Sequence, residues 1–224
     1  MRRGLWAAVI GVVVMVSLLP VVSAFEAHLV NVTAHVKEPF NVVKSMRLAD
    51  SQEIAGHADE INDTLGDHLN YTNCNPPGAT ADYVPIRTCI VWVVRIDISN
   101  PFSYPIHNVI VTDHFGAELN GELIEEGMPV EVTTPPPQLR ITWYPTCLSW
   151  DGTQCLDNGG ILASGESATL NMLVWTEKNP AGKQEYTSPG SYTLNSGPTM
   201  KWRDPQDHQG SSEGDSLVVV VYEP

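Results

Sequence analysis

The chain is poor in positive charge, with 12 Lys and Arg against 26 Asp and Glu in 224 residues and a net charge of −14 when the histidines are neutral. Phosphate binding needs a cationic footprint, and the few basic residues do not cluster, so nucleic acid is excluded as a partner. Catalytic signatures are scarce as well. There is no HExxH, no P-loop and no dinucleotide fingerprint, and no CxxC that would point to zinc or redox chemistry. The seven histidines (His28, His35, His57, His68, His107, His114 and His208) are scattered rather than set at ligand spacing. Asp113-His114 with a distant serine can be drawn as a triad, but any chain of this length allows one. The expectation is a protein that is not an enzyme and requires no cofactor.

What is present begins at the N-terminus. Arg2 and Arg3 precede an apolar run over residues 5–19, and Val22-Ser23-Ala24 places small residues where signal peptidase needs them. Residues 1–24 therefore read as a secretion signal cut after Ala24. An uncleaved membrane anchor is the competing reading, since residues 5–22 approach spanning length, but Pro20 interrupts the run. A prepilin-type cut at Gly4 would need an acidic residue soon after it, and none is there. Removing the signal takes two basic residues and no acidic one, and leaves 200 residues with a net charge of −16. That length suits one principal domain, over residues 38–224, preceded by a separate strand at 25–37.

Cys74, Cys89, Cys147 and Cys155 are an even number in an exported chain, which favours disulfides. Of the three possible connectivities, the two local pairs, Cys74–Cys89 and Cys147–Cys155, are expected. Three sequons mark Asn31, Asn62 and Asn70 as glycosylation candidates. Oxygen-rich stretches at 118–126 and 151–157 make calcium the one cofactor to consider, but neither matches an EF-hand and no metal residues are assigned.

Along the mature chain the apolar period is two far more often than 3.6. Residues 90–98 put Ile90, Trp92, Val94, Ile96 and Ile98 on one face and Val91, Val93, Arg95 and Asp97 on the other, as in a half-buried strand. Further strands are expected at 106–112, 129–133, 139–144, 168–176, 191–194 and 217–222, separated by turn signals such as Asp151-Gly152 and Pro189-Gly190. The fold class is all-β, an Ig-like or jelly-roll antiparallel β-sandwich of two sheets. A short helix is expected within 46–69, near 51–58, with Asp50 or Ser51 as N-cap and Glu53 nearby. Residues 202–214 read as a polar loop. The last strand, apolar on both faces, reads as a doubly buried core strand or as the lining of an acceptor groove.

Four stretches resemble a known family. Residues 24–34 (AFEAHLVNVTA) look like the start of TasA/camelysin-type secreted filament subunits and their archaeal relatives. Residues 91–119 (VWVVRIDISNPFSYPIHNVIVTDHFGAEL), 162–173 (LASGESATLNML) and 190–197 (GSYTLNSG) are similar to conserved-repeat Ig-like domains of prokaryotic envelope proteins. Together they cover about half of the mature chain. The resemblance implies a secreted subunit of a cell-surface or biofilm-matrix filament whose partner is itself, polymerising when the N-terminal strand of one copy completes the sheet of the next. Val30, Val32, Ala34 and Val36 would be the buried face of that donor strand, opposite Leu29, Asn31, Thr33 and His35. Camelysin-like proteins have been labelled metalloproteases, but the chain departs from that pattern by lacking HExxH. The other reading is a monomeric envelope adhesin or binding module whose loops near 147–155 recognise glycan or protein.

Overall fold

The structure, a computed structural model, describes residues 42–65, 70–116, 119–125, 128–133, 139–157, 160–176 and 188–224. The expected signal at 1–24 and the expected donor strand at 25–37 lie outside the described residues. Pro39–Pro224 forms a compact unit of its own.

In chain order its elements are β1 (Val42–Leu48), α1 (Ser51–Gly56), α2 (Ala58–Thr64), a 3₁₀ turn (Tyr71–Asn73), β2 (Tyr83–Pro85), β3 (Val91–Ser99), β4 (Ile106–His114), β5 (Leu119–Leu123), β6 (Val130–Thr133), β7 (Arg140–Trp143), β8 (Ile161–Leu162), β9 (Ser167–Thr176), β10 (Gly190–Asn195), β11 (Thr199–Arg203), β12 (Gln209–Glu213) and β13 (Leu217–Tyr222). The all-β antiparallel sandwich and its short helix are as the sequence reading holds. Among the described residues, however, the sheets number three rather than two. The first runs β1-β3-β9-β5, the second β10-β13-β2, and the third β12-β11-β4-β7-β6 with β8 added to β4. All pairings are antiparallel except β13 with β2.

Alternation places the core. On the inner face of the first sheet Trp92 stands opposite Val174, Val94 opposite Met172 and Ile96 opposite Leu170. These join Val109, Val111, Ile141, Trp143 and Met200 of the third sheet and Val84, Leu194, Val219 and Val221 of the second in one apolar cluster. Each such side chain stabilises the fold by about 1.5–3 kcal/mol relative to its exposed state. Lys44 and Asp113 are the charged exceptions inside it.

The other face of the first sheet is not left to solvent. Val91, Val93, Leu173 and Trp175 are covered by Ala49, Ile54, Ile61 and Leu65, so the N-terminal half of β3 is buried on both faces rather than one. Helices of six and seven residues are too short to persist alone, so this packing holds them. The start of α1 is fixed by a capping box: the Asp50 carboxylate accepts from the Gln52 and Glu53 amides, and Glu53 accepts from the Asp50 amide. Asn75 ties the cover to the sheet, donating to the Ala49 and Val91 carbonyls and accepting from the Val91 amide. Trp175 Nε1 donates to Thr64 Oγ1 at 2.7 Å.

Two sequence expectations are corrected. Residues 202–214 do not form a loop: β11 and β12 pair as a hairpin from Thr199–Glu213 to Arg203–Gln209. The string Gln209-Gly-Ser-Ser-Glu213 has no apolar alternation to reveal a strand, because the residue opposite Trp202 is Gly210, whose missing side chain leaves room for the indole. Nor is β13 buried from both sides. It is hydrogen-bonded on both edges, yet Val219 and Val221 are buried in the core with Leu217 packed against it, while Val218 and Val220 are exposed.

Candidate functional site

The outer face of the second sheet is where apolar surface gathers. Val218 and Val220 are 44% and 41% exposed on β13, and Tyr83, opposite Val220 on β2, is 45% exposed. Tyr83 stacks on Tyr222 with ring centroids 4.2 Å apart and planes 7° from parallel, which fixes the aromatic pair on that face. Across β10, Ser191 and Thr193 stand opposite Val220 and Val218. Among the described residues β13 is the one strand that pairs with β10; the C-terminal end of β10 is also bridged by Phe115 at Asn195 and by the Gly116 amide at the Leu194 carbonyl, while residues 190–193 have no second strand partner. Gly214, just before β13, backs onto the Val42 carbonyl, and a Cβ there would lie 2.9 Å from that oxygen. The chain therefore enters β1 beside this sheet.

A second exposed region is the loop closed by Cys147–Cys155. Leu148 is 88% exposed, and Leu156 and Ile161 are largely so. Asp151 accepts from the Thr153 and Gln154 amides and from the Thr153 hydroxyl, and these bonds pull its carboxyl down to about 2. Asp157 accepts from the Leu148 amide. Beside this loop lies a cleft of about 330 Å³ lined by Tyr144, Cys155, Asn108, Ile110, Lys201 and Arg203. Burial and the Glu131 carboxylate, which accepts from the Tyr144 hydroxyl at 3.1 Å, push the Tyr144 phenol up.

The sites expected from sequence are distributed unevenly. The donor-face residues Val30, Val32, Ala34 and Val36, and the sequon Asn31, lie outside the described residues. Asn62 is exposed on α2, with Oδ1 accepting from the Tyr71 amide. Asn70 is exposed and caps the 3₁₀ turn, with Oδ1 accepting from the Thr72 amide and hydroxyl. Cys74 is bonded to Cys89 and Cys147 to Cys155, with Cα separations of 4.5 and 5.8 Å.

The two stretches considered for calcium differ in local structure. Within 118–126, Leu119–Leu123 is strand β5 rather than a loop, and Glu122 pairs with His57. In 151–157 the carboxylates of Asp151 and Asp157 are taken by backbone amides of their own loop. His57, Glu60 and Glu122 do converge, with ligand atoms within 4.8 Å of one another, a grouping hidden in the sequence by its 65-residue span. Asp113 and His114 point to opposite sides of β4, Asp113 into the core, so they form no triad. Residues Gly210-Ser211-Ser212-Glu213-Gly214 spell the G-x-S-x-G string of a hydrolase nucleophile elbow. That device requires a sharp strand-to-helix turn, whereas this string runs along hairpin strand β12.

No family model matches the chain. An uncharacterized protein of Archaeoglobus fulgidus is 56% identical over 32 residues, which are 14% of this chain and 12% of that protein. Among solved structures, the chain is similar to BcpA, the major pilin subunit of Bacillus cereus, at 14% identity and a TM-score of 0.34 over 62% of this chain and 37% of that one. For the full-length major pilin SpaD from Corynebacterium diphtheriae the values are 13% and 0.37, over 60% and 31%. A Nocardia farcinica protein with an immunoglobulin-like fold shows 10% and 0.32, over 58% and 88%. The chain thus spans about a third of either pilin. Likeness at this level carries no conclusion about function.

Proposed function

We propose that the protein is a secreted, non-enzymatic structural subunit of an extracellular or cell-surface filament. Export exposes residues 25–36, and that strand of one copy pairs along the open β10 edge of the next, with Val30, Val32, Ala34 and Val36 on its buried face. Backbone hydrogen bonds supply the affinity and the apolar face sets the fit, the physics of strand addition. The observation that carries the reading is the outer face of the second sheet. Two valines and Tyr83, stacked on the half-buried Tyr222, stand exposed there beside β10, whose residues 190–193 have no second strand partner among the described residues. An exposed apolar strand next to an open edge favours association, which a subunit of a polymer exploits. Other envelope or matrix components can join such a fibre, and glycans on Asn62 or Asn70 would project from the helical side. The test is electron microscopy of the mature protein beside a version lacking residues 25–37. Fibres from the first and none from the second support the reading, and monomers from both under all assembly conditions refute it.

A second reading rests on the cleft beside the Cys147–Cys155 loop, whose aromatic, amide and cationic lining suits a glycan or a peptide. On that reading the protein is a monomeric adhesin or binding module. Concentration-independent sedimentation together with saturable glycan binding, abolished by Tyr144→Ala, would favour it.

A further inference from the structure

His57 stands where the two short helices meet. It closes α1, its amide donating to the Ile54 carbonyl, and it opens α2, its carbonyl accepting from the Ile61 amide. Asp50 at the head of α1 uses its side chain as the cap, whereas the His57 ring makes no cap hydrogen bond and meets the sheet instead. There Nδ1 contacts Glu122 Oε1. Glu122 lies on β5, the edge strand of the first sheet, opposite Leu173 of β9, and so shares the face that the helices cover. Glu60 follows His57 by three residues, a spacing that sets two side chains on one side of a helical turn. The ligand atoms of His57, Glu60 and Glu122 lie within 4.8 Å of one another.

The charges in this grouping do not balance. One imidazole carries at most a single positive charge against two carboxylates. Among the described residues no lysine or arginine pairs with Glu60 or Glu122, and the nearby Arg47 is engaged with Glu53 on α1. The His57 and Glu122 side chains are 21% and 33% exposed, so solvent screens them only in part. Two carboxylates brought together on a half-buried surface repel unless a cation stands between them. The arrangement is therefore short of positive charge at the point where its nitrogen and oxygen donors converge.

We propose that His57, Glu60 and Glu122 hold a zinc-class divalent ion. One imidazole nitrogen and two carboxylate oxygens are a donor set that zinc accepts, at about 2.0–2.2 Å from each atom. Calcium and magnesium are bound through oxygen and by more donors, so the imidazole selects against both. A tetrahedral ion spaces its ligand atoms roughly 3.4 Å apart. Glu60, exposed and with no other side-chain partner among the described residues, is free to close on the ion. The three protein ligands leave a fourth position for water.

The ion would act as a clasp. It joins the junction of α1 and α2 to β5, and so holds the cover over Val91, Val93, Leu173 and Trp175 as a second tie beside the Cys74–Cys89 disulfide. Helices of this length depend on such ties, because neither persists alone. The site lies within one copy of the chain, and its chemistry does not depend on filament assembly.

The test is calorimetric titration of the mature protein, stripped of metal with a chelator, with zinc chloride. The expected result is saturable binding that excess calcium does not displace. Glu122→Gln and Glu60→Gln should each weaken it about ten-fold or more. His208→Ala, which removes a ring paired with Asp204 elsewhere, should leave the affinity unchanged. In the wild-type protein, substoichiometric cobalt should broaden the amide resonances of His57, Glu60 and Glu122 first, a readout that does not depend on any variant folding. The absence of saturable zinc binding overturns the proposal, as does displacement by calcium or an affinity that Glu122→Gln leaves intact. Broadening centred on other histidines, such as His28 and His35, overturns it equally. None of these results turns on whether the protein forms fibres.

Discussion

β3 and β13 are written in almost the same residues, VWVV at the start of one and LVVVVY along the other, and they meet opposite fates. Both are hydrogen-bonded on two sides. In β3 the second apolar face is covered by α1 and α2, so Val91 and Val93 are buried, whereas Val218 and Val220 of β13 stay exposed. The difference lies in what the neighbouring chain supplies: a capped helical pair tied down by a disulfide in one case, nothing among the described residues in the other. On the proposed function this uncovered apolar face is the surface that meets another copy.

The sharpest way to break that comparison is to place a carboxylate on each strand. Val93→Asp buries an unpaired charge under the helices and should cost about 3–5 kcal/mol in urea unfolding. Val220→Asp should stay within about 0.5 kcal/mol of the parent. Equal losses would mean that the two faces are alike after all.

The two disulfides extend the same contrast. Cys89 is buried beneath the helical cover, and opening its 15-residue loop with Cys74→Ser and Cys89→Ser should cost about 3 kcal/mol by loop-closure entropy. Opening the 8-residue loop with Cys147→Ser and Cys155→Ser should cost less, about 2.5 kcal/mol on the same basis, and leave β3 untouched. Asp50→Ala, which removes the cap of the helix that covers β3, should cost about 1 kcal/mol. Hydrogen exchange should register it at the Ile54 amide, which donates to the Asp50 carbonyl, with no change along β13.

The smallest effect is one of pH. Asp151 is held below its ordinary value of 3.8, at about 2, by the Thr153 and Gln154 amides. Its carboxylate therefore contributes order to the exposed loop above pH 3.8, and that contribution fades as pH falls through 2. The Thr153 and Gln154 amide resonances should shift with a midpoint near 2, and Asp151→Ala should abolish the transition.

Much of this architecture was legible from period-two patterning. The strands at β3, β4, β9 and β13 fall within one or two residues of their expected bounds, because each alternates or runs apolar for six residues or more. An N-cap at Asp50 or Ser51 with Glu53 nearby was legible because its chemistry is local, and the structure places it at Asp50. The strands that went unread carry no such pattern. β2 contains a proline, and β12 places a glycine where an apolar residue would have shown the register. The helical cover was visible as a helix but not as a lid, because which face of β3 it meets is a tertiary fact. Lys44 and Asp113 were individually unremarkable in the sequence. Only the pairing of β1 with β3 and of β4 with β7 points them into one core. Val218 and Val220 could be named as apolar, but not as exposed.

The most direct test of the central claim, that the outer face of β13 is where one copy meets the next, is electron microscopy of the mature Val218→Lys/Val220→Lys variant at a concentration where the parent assembles. The account predicts an unchanged melting temperature and no fibres. Fibres indistinguishable from those of the parent would contradict it.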